Sequence, residues 1–335
     1  MDNEISRTFG RIIEASCPSS MVRAIESGKV GGAELWATIE ESGFLNALVA
    51  EDAGGVGLTL ADTAELLMLV GRHGVPLPVA ETIMLRGMLA DCGMAVPKGS
   101  LTFGGHAYRD RDGVFCQQVV CGETADHAVV AQDGTVRILA LNGCRILNTQ
   151  ALAQESGARW ATAQFETGDE VSGLEVNSLP YAQAMVHSLQ LAGAMEAVLE
   201  QTISYAGERV QFGKPIAKFQ AIQHQLAVMA EHVIAARMAA ILACQAGLSD
   251  RMRIAIAKVR CGMAAVEVAG FAHSIHGAIG FTEEYDLHLL TRRLHLWRQL
   301  AGSELFWEEE IGRMALAGGE CLTLDILRKA SEPAE

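Results

Sequence analysis

The sequence predicts a mostly α protein with a small β domain. An N-terminal helical domain (1–97) leads through a shortened middle β domain (98–173) to a C-terminal four-helix bundle (174–335). Three observations carry this prediction. Apolar content comes from Ala, Leu, Met and Val rather than from aromatic residues, which favours helices over sandwiches. Helical periodicity dominates both ends of the chain. Between them lie short alternating runs punctuated by turn residues. The length of 335 residues suits two or three domains of about 100–200 residues each.

In the first domain, AELWATIEES (33–42) places Leu35, Trp36 and Ile39 on one helical face, and Gly43 ends it. Gly54, Gly55 and Gly57 form a tight loop. Thr59 or Asp62 then caps a helix running through Leu66 and Leu67 to Val70, broken by Pro76 and Pro78. A further helix is expected over 81–91. From residue 98 the runs SLTFGG, GVFCQQVVCG, HAVVAQDG, TVRILALNG and RWATAQFETG read as strands, with Asp-Gly and Asn-Gly as hairpin turns. After Leu179 helices are expected over 181–206, 219–246, 249–276 and 284–317, the last interrupted near Gly302. They are apolar on most faces, so they belong in a bundle or at a subunit interface.

Composition narrows the function. A formal net charge of −14 argues against a nucleic-acid partner, which requires a basic surface. No run approaches the about 20 uninterrupted apolar residues of a membrane span. The polar, acidic opening MDNEISRTFGRIIEAS does not read as a secretory signal, and the scattered cysteines form no CxxC pair, so a cytoplasmic protein with reduced thiols is expected. The nearest pair, Cys116 and Cys121, suggests neither a disulfide nor a metal site. His273 and His276, with His288 and His295 nearby, share a helix face but have no third ligand at a fitting offset, so no metal is expected.

Two segments carry the chemistry. The first is Glu208-Arg209-Val210-Gln211-Phe212-Gly213-Lys214-Pro215-Ile216, followed by Phe219-Gln220. The second is His276-Gly277-Ala278-Ile279-Gly280-Phe281-Thr282-Glu283-Glu284-Tyr285, followed by LHLLTRR. An arginine after a helix offers a forked, permanent cation suited to a pyrophosphate, and glycines admit close backbone approach. In order and separation these segments resemble the two C-terminal signatures of the acyl-CoA dehydrogenase family, and EDAGGVGLTL with GRHGVPLP resembles its N-terminal domain. The resemblance implies an FAD lying across a subunit interface. Arg209, Gln211 and Phe212 would contact its ADP half, and Gln220, Ser274, Gly277, Ala278 and Ser303 would touch the same cofactor.

The resemblance also implies a reaction: removal of two hydrogens from the α and β carbons of an acyl-CoA thioester, with a glutamate as base. Counted without gaps from Phe281 and Tyr285, the glutamate segment is Leu300-Ala301-Gly302-Ser303, so Ala301 replaces the base. At the family's alternative base position, counted back from Leu191-Ala192-Gly193, stands His187. Glu304, near Ala301, is a further candidate, although Glu304 and Glu308–Glu310 read better as a solvated acidic face. The β domain lacks the family's flavin-ring segments: Trp160 is followed by Ala161 and Thr162. Ser274 stands where the family carries glutamine. Together these departures resemble the degenerate subunit of α2β2 enzymes of the steroid side-chain type, with a second family member supplying base and flavin-ring contacts. The alternative is a non-redox protein on the same fold, enoyl-CoA hydratase-like or purely structural.

Overall fold

In a computed structural model the described residues are 2–148, 155–317, 324, 325, 328 and 331. The chain forms two compact units. One comprises residues up to Leu66 together with Val75–Gln183; the other comprises Leu67–Gly74 and the chain from Ala184 onward. The sequence boundary near residue 97 falls inside the first unit, and residues 149–154 of the range 98–173 lie outside the described set.

The first unit opens with helices α1 (Asp2–Ser16), α2 (Ser19–Glu26) and α3 (Ala33–Glu41), followed by α4 (Leu60–Arg72) and α5 (Val79–Asp91). Helix α4 starts where Thr59 and Asp62 cap each other: Thr59 Oγ1 donates to Asp62 Oδ2 at 2.6 Å, and the Asp62 N–H donates to Thr59 Oγ1 at 3.2 Å. Helix α5 is buried from Val79 to Leu89, Glu81 and Arg86 included. Burying Arg86 is tolerated because both terminal nitrogens of its guanidinium are satisfied: Nη1 donates to Asn46 Oδ1 (2.9 Å), and Nη2 donates to Glu40 Oε1 (2.7 Å) and the Gly99 carbonyl (2.8 Å).

The β domain is a seven-stranded sheet ordered β5-β6-β2-β1-β3-β4-β7. Its strands are β1 (Leu101–Asp110), β2 (Gly113–Val120), β3 (His127–Gln132), β4 (Thr135–Ala140), β5 (Arg145–Asn148), β6 (Glu155–Trp160) and β7 (Asp169–Glu170). The Asp-Gly signal is a two-residue hairpin. Asp133 (φ 48°) and Gly134 (φ 82°) both take left-handed backbone between Gln132 and Thr135. β1 and β3 pair in parallel, which hairpin reasoning does not anticipate. RWATAQFETG corrects the strand expectation: only Arg159 and Trp160 are in β6, and Thr162–Glu166 forms the short helix α6. That turn seats Phe165 in the core beside Trp160, Val130 and Leu139.

The bundle of the second unit is built from α7 (Ser178–Glu208), α8 (Gln220–Ala246), α9 (Arg251–His276), α10 (Leu287–Trp297) and α11 (Glu304–Ala317), with a two-stranded hairpin of β8 (Val210–Gln211) and β9 (Lys214–Pro215) between α7 and α8. The interruption expected near Gly302 is the break between α10 and α11. Helix α8 is long and apolar enough, by length and composition, to cross a membrane. Its apolar run is nonetheless interrupted, because Glu231, His232 and Arg237 divide it without making the helix polar on average. The helix packs along α9, and 28% of its apolar window is buried. Ile234 and Met238 on α8, with Met263 and Val266 on α9, remain exposed.

Candidate functional site

The first segment forms the tip of the β8–β9 hairpin. Its backbone is fixed at both ends, because the Arg209 N–H donates to the Tyr205 carbonyl (2.9 Å) and the Ile216 N–H donates to the Arg209 carbonyl (2.8 Å). The turn residues are Phe212 (φ 52°) and Gly213 (φ 79°). Gly213 takes left-handed backbone freely, whereas for a phenylalanine it costs roughly 1–2 kcal/mol. The Phe212 ring is 92% exposed, so this cost is not repaid by core burial within the chain. Strain spent on displaying a ring is a mark of a binding position. Phe219 stands edge-on to Phe212 at 6.2 Å, with Lys214 Nζ 4.4 Å from the Phe219 ring centre.

Arg209, Gln211, Lys214 and Gln220 are exposed around this tip. Phe219 occupies the N-cap of α8 in extended backbone and makes no side-chain cap, leaving the first helical N–H groups open. A forked cation, a lysine, an open helix N-terminus and a displayed ring form a donor set for a phosphate-bearing group with a flat base.

The second segment begins where α9 ends. Gly277 (φ 64°) terminates the helix, and a 3-10 turn runs over Gly277–Phe281. The two segments meet through aromatic contacts. Tyr205 stacks on His276 at 4.3 Å, its hydroxyl donates to the His276 carbonyl at 3.3 Å, and Tyr285 stands edge-on to Tyr205. His273 stacks on Phe281 at 4.3 Å, and its Nε2 lies 3.0 Å from Thr291 Oγ1. Burial lowers both histidine pKa values, so these rings act as neutral packing surfaces for the turn. Ser274, Gly277 and Ala278 are exposed beside it. Sequence reasoning missed Tyr205, whose aromatic ring one helical turn before Arg209 was the available signal.

Ala301 and Ser303 lie elsewhere along α9. Their turn is held at the level of Lys258 and Gly262, so Gly262 and Ser274 are separated by about 18 Å of helix at about 1.5 Å per residue. The structure therefore joins Arg209, Gln211, Phe212 and Gln220 to the segment 274–278 through Tyr205, and sets Ser303 apart. Ala301 (φ 58°) and Gly302 (φ 99°) are both left-handed. The Ala301 carbonyl accepts from Trp307 Nε1 at 2.9 Å. Glu304 does not join a solvated acidic face. It makes a two-pronged pair with Arg298 at 2.8 and 2.7 Å, and its side chain is 14% exposed, because Gly262 leaves room for it against α9.

His187 is fully buried on α7, with Nδ1 2.8 Å from Gln190 Oε1. The amide oxygen only accepts, so the imidazole proton sits on Nδ1. Burial first, and the Lys258 charge second, push its pKa down from 6.5 to about 3, against the Gln190 bond, which raises it. The unfolded chain thus takes up a proton below pH 6.5 that the folded chain refuses until about pH 3. Stability is complete above that window and falls by about 1.4 kcal/mol per pH unit as pH drops through it. His187→Gln is expected to flatten this acid slope in urea titrations between the two pKa values. Parallel slopes for the variant and the parent would refute it.

On the β domain, Trp160 is a core residue whose Nε1 donates to the Ala140 carbonyl at 2.8 Å, so its ring is not offered to a ligand. Cys116 remains a thiol, which burial pushes up to about 11, rather than half of a disulfide with Cys121.

Comparison with known proteins places these features in context. Residues 181–316 match the family model described as acyl-CoA dehydrogenase, C-terminal domain. The chain is 27% identical over 301 residues to acyl-CoA dehydrogenase IpdE2 of Mycolicibacterium smegmatis, covering 89% of this chain and 93% of that one. It is 28% identical over 292 residues to IpdE2 of Mycobacterium tuberculosis, covering 85% and 88%. Its fold is similar to a chain of the ChsE4-ChsE5 complex from Mycobacterium tuberculosis (TM-score 0.82, 21% identity, 96% of this chain and 98% of that chain). It is also similar to a chain of a Tcur3481-Tcur3483 steroid ACAD variant (TM-score 0.81, 23% identity, 96% and 99%).

Proposed function

We propose that this chain, whose residues 181–316 match the acyl-CoA dehydrogenase C-terminal domain, is a subunit of such an enzyme that lacks the catalytic base and completes the FAD site of a partner subunit. One observation carries the reading. The hairpin at Arg209–Pro215 displays a cation and a strained ring, while the turn meant for the base offers only the methyl group of Ala301 and the β-domain tryptophan is buried. The nucleotide-binding half has been kept and the flavin-ring half lost.

In this reading the chemistry that FAD supplies when bound is acceptance of the β hydrogen of an acyl-CoA thioester as hydride. Arg209 would hold the pyrophosphate with its fork, aided by Lys214 and the open N-terminus of α8. Phe212 would offer its ring to a flat part of the nucleotide. Gln211 and Gln220 offer amide donors, and Ser274, Gly277 and Ala278 let backbone approach it. The proton from the α carbon goes to a carboxylate of the partner, because neither Ala301 nor the buried His187 can take it. The exposed apolar side chains Ile234, Met238, Met263 and Val266 suit burial against a second family member in an α2β2 assembly. The paired names of the two solved structures, and the steroid named for one, point to a bulky, steroid-like acyl group. The site for this chemistry is the cytoplasm.

Co-expression with a catalytic family member is expected to give a yellow complex that oxidises CoA thioesters. The chain alone is expected to be flavin-poor and prone to self-association. A lone chain that is fully flavinated and active, or a colourless one that hydrates enoyl-CoA, overturns the proposal.

A further inference from the structure

The end of α9 is closed by a side chain from α7. The His276 carbonyl lies in the last turn of α9, where carbonyls have no donor within the helix, and it accepts from the Tyr205 hydroxyl. The Tyr205 ring lies almost flat on the His276 imidazole, inclined by 20°, and Tyr285 stands beside both, 5.0 Å from His276 and 5.9 Å from Tyr205. The Tyr205 carbonyl in turn accepts from the Arg209 N–H. One residue thus holds both the root of the hairpin and the end of α9.

This arrangement suits only a neutral imidazole. His276 is 3% exposed. Its Nδ1 lies 2.8 Å from the Ala272 carbonyl, which only accepts, so the proton of the neutral ring sits there. Nε2 is buried and meets no partner among the described residues. A second proton would put an N–H on Nε2 without an acceptor and a charge without water. Around the ring stand Tyr205 and Glu208 of α7, Tyr285 and Asp286 ahead of α10, and His273 one turn back on α9, on which His288 and His295 of α10 also act. No titratable group of α8 acts on either His273 or His276. The two carboxylates and the negative end of α9 favour an imidazolium, and the neighbouring histidines oppose it when charged. Burial is the largest influence and lowers the His276 pKa from 6.5 in spite of the Ala272 bond.

We propose that the Tyr205–His276 contact is an acid-sensitive latch, which closes on the neutral imidazole and opens when that ring gains a second proton, freeing the root of the Arg209 hairpin from the end of α9. To accept that proton the ring must turn from under Tyr205 and reach water. The opened ring takes up a proton below about pH 6.5 that the closed ring refuses, so closure is complete above that pH and weakens below it. The latch stands on contacts within this chain; its effect on a bound nucleotide rests on the function proposed above.

The test uses the full chain in complex with its catalytic partner. It compares the parent with His276→Phe, which keeps a flat ring that cannot titrate, and with Tyr205→Leu, which removes the latch. Amide exchange of the peptides 203–212 and 277–286 is followed at about pH 6.5 and about pH 5.5, corrected for the intrinsic pH dependence of exchange. In the parent, opening of both peptides is expected to rise by about tenfold over that interval, the linkage slope of one proton, with the middle of α9 unchanged. His276→Phe is expected to keep both peptides slow at either pH, and Tyr205→Leu to leave both fast at either pH. Flavin release reads the consequence: acidification speeds it in the parent and not in His276→Phe. An acid rise that is absent from the two peptides, spread equally through the bundle, or retained in full by either variant overturns the latch. Flavin release that does not follow the opening overturns its control of the hairpin. Should the parent complex hold no flavin, the proposed function fails, and exchange still decides the latch.

Discussion

Replacing Arg209 with alanine is expected to strip flavin from the assembled complex while leaving the fold of this chain intact. The hairpin does not depend on the guanidinium, because the backbone N–H and carbonyl of Arg209 are held by Tyr205 and Ile216. The side chain is exposed, so its removal leaves no cavity. What is lost is a charge-assisted, forked contact to a phosphate, about 1.5–3 kcal/mol, or about 10- to 150-fold in the FAD dissociation constant. Arg209→Lys keeps the charge and loses the fork, so it is expected to fall between the two, with the steeper salt dependence of a point charge. The measurement is flavin absorbance per complex after extensive dialysis, alongside circular dichroism as a check of folding. Equal flavin content in the parent and Arg209→Ala complexes would remove the hairpin from the cofactor site.

That prediction rests on a segment legible in the sequence, and the reason is locality. The arginine, the Phe-Gly turn and the following helix start lie within a dozen or so residues, so spacing alone places them. The same holds for the long helices of the bundle, whose apolar periods extend over many turns, and for the Asp133-Gly134 hairpin. Features that depend on distant partners were not legible. Tyr205 and His276 are 71 positions apart and meet only because the last turns of α7 and α9 come together. Lys258 reads as an ordinary solvated lysine until the carbonyls of Arg298 and Gly302 are seen at its tip. Glu304 misled for the same reason: its acidic neighbours suggested a solvated face, while Arg298 and the space over Gly262 draw it inward. The run RWATAQFETG misled differently. Its alternation fits a strand, but Phe165 reaches the core from a helical turn.

The largest effect on stability is expected where α7 and the end of α4 touch backbone to backbone within the second unit. A methyl group placed on Gly193 of α7 would stand 1.9 Å from the Met68 carbonyl oxygen, and one on Gly71 would stand 2.1 Å from the Gln190 carbonyl oxygen. Both obstacles are main chain inside helices, so neither can swing aside as a side-chain tip would. Gly193→Ala must push α7 away from residues 67–74, opening gaps around Met195, Leu191 and Met68, which are now fully or almost fully buried. The expected cost is about 3 kcal/mol, or roughly 6–12 °C in melting temperature for a unit of this size. Gly207 supplies the control on the same helix. Nothing lies within 4 Å of a methyl group placed there, so Gly207→Ala gains helix propensity, worth up to about 1 kcal/mol, and is expected to raise the melting temperature slightly. Gly71→Ala strikes the same crossing, so combining it with Gly193→Ala is expected to cost less than the sum of the two. Equal shifts for Gly193→Ala and Gly207→Ala would mean that helix propensity, rather than the close approach of two backbones, decides the glycine positions of α7.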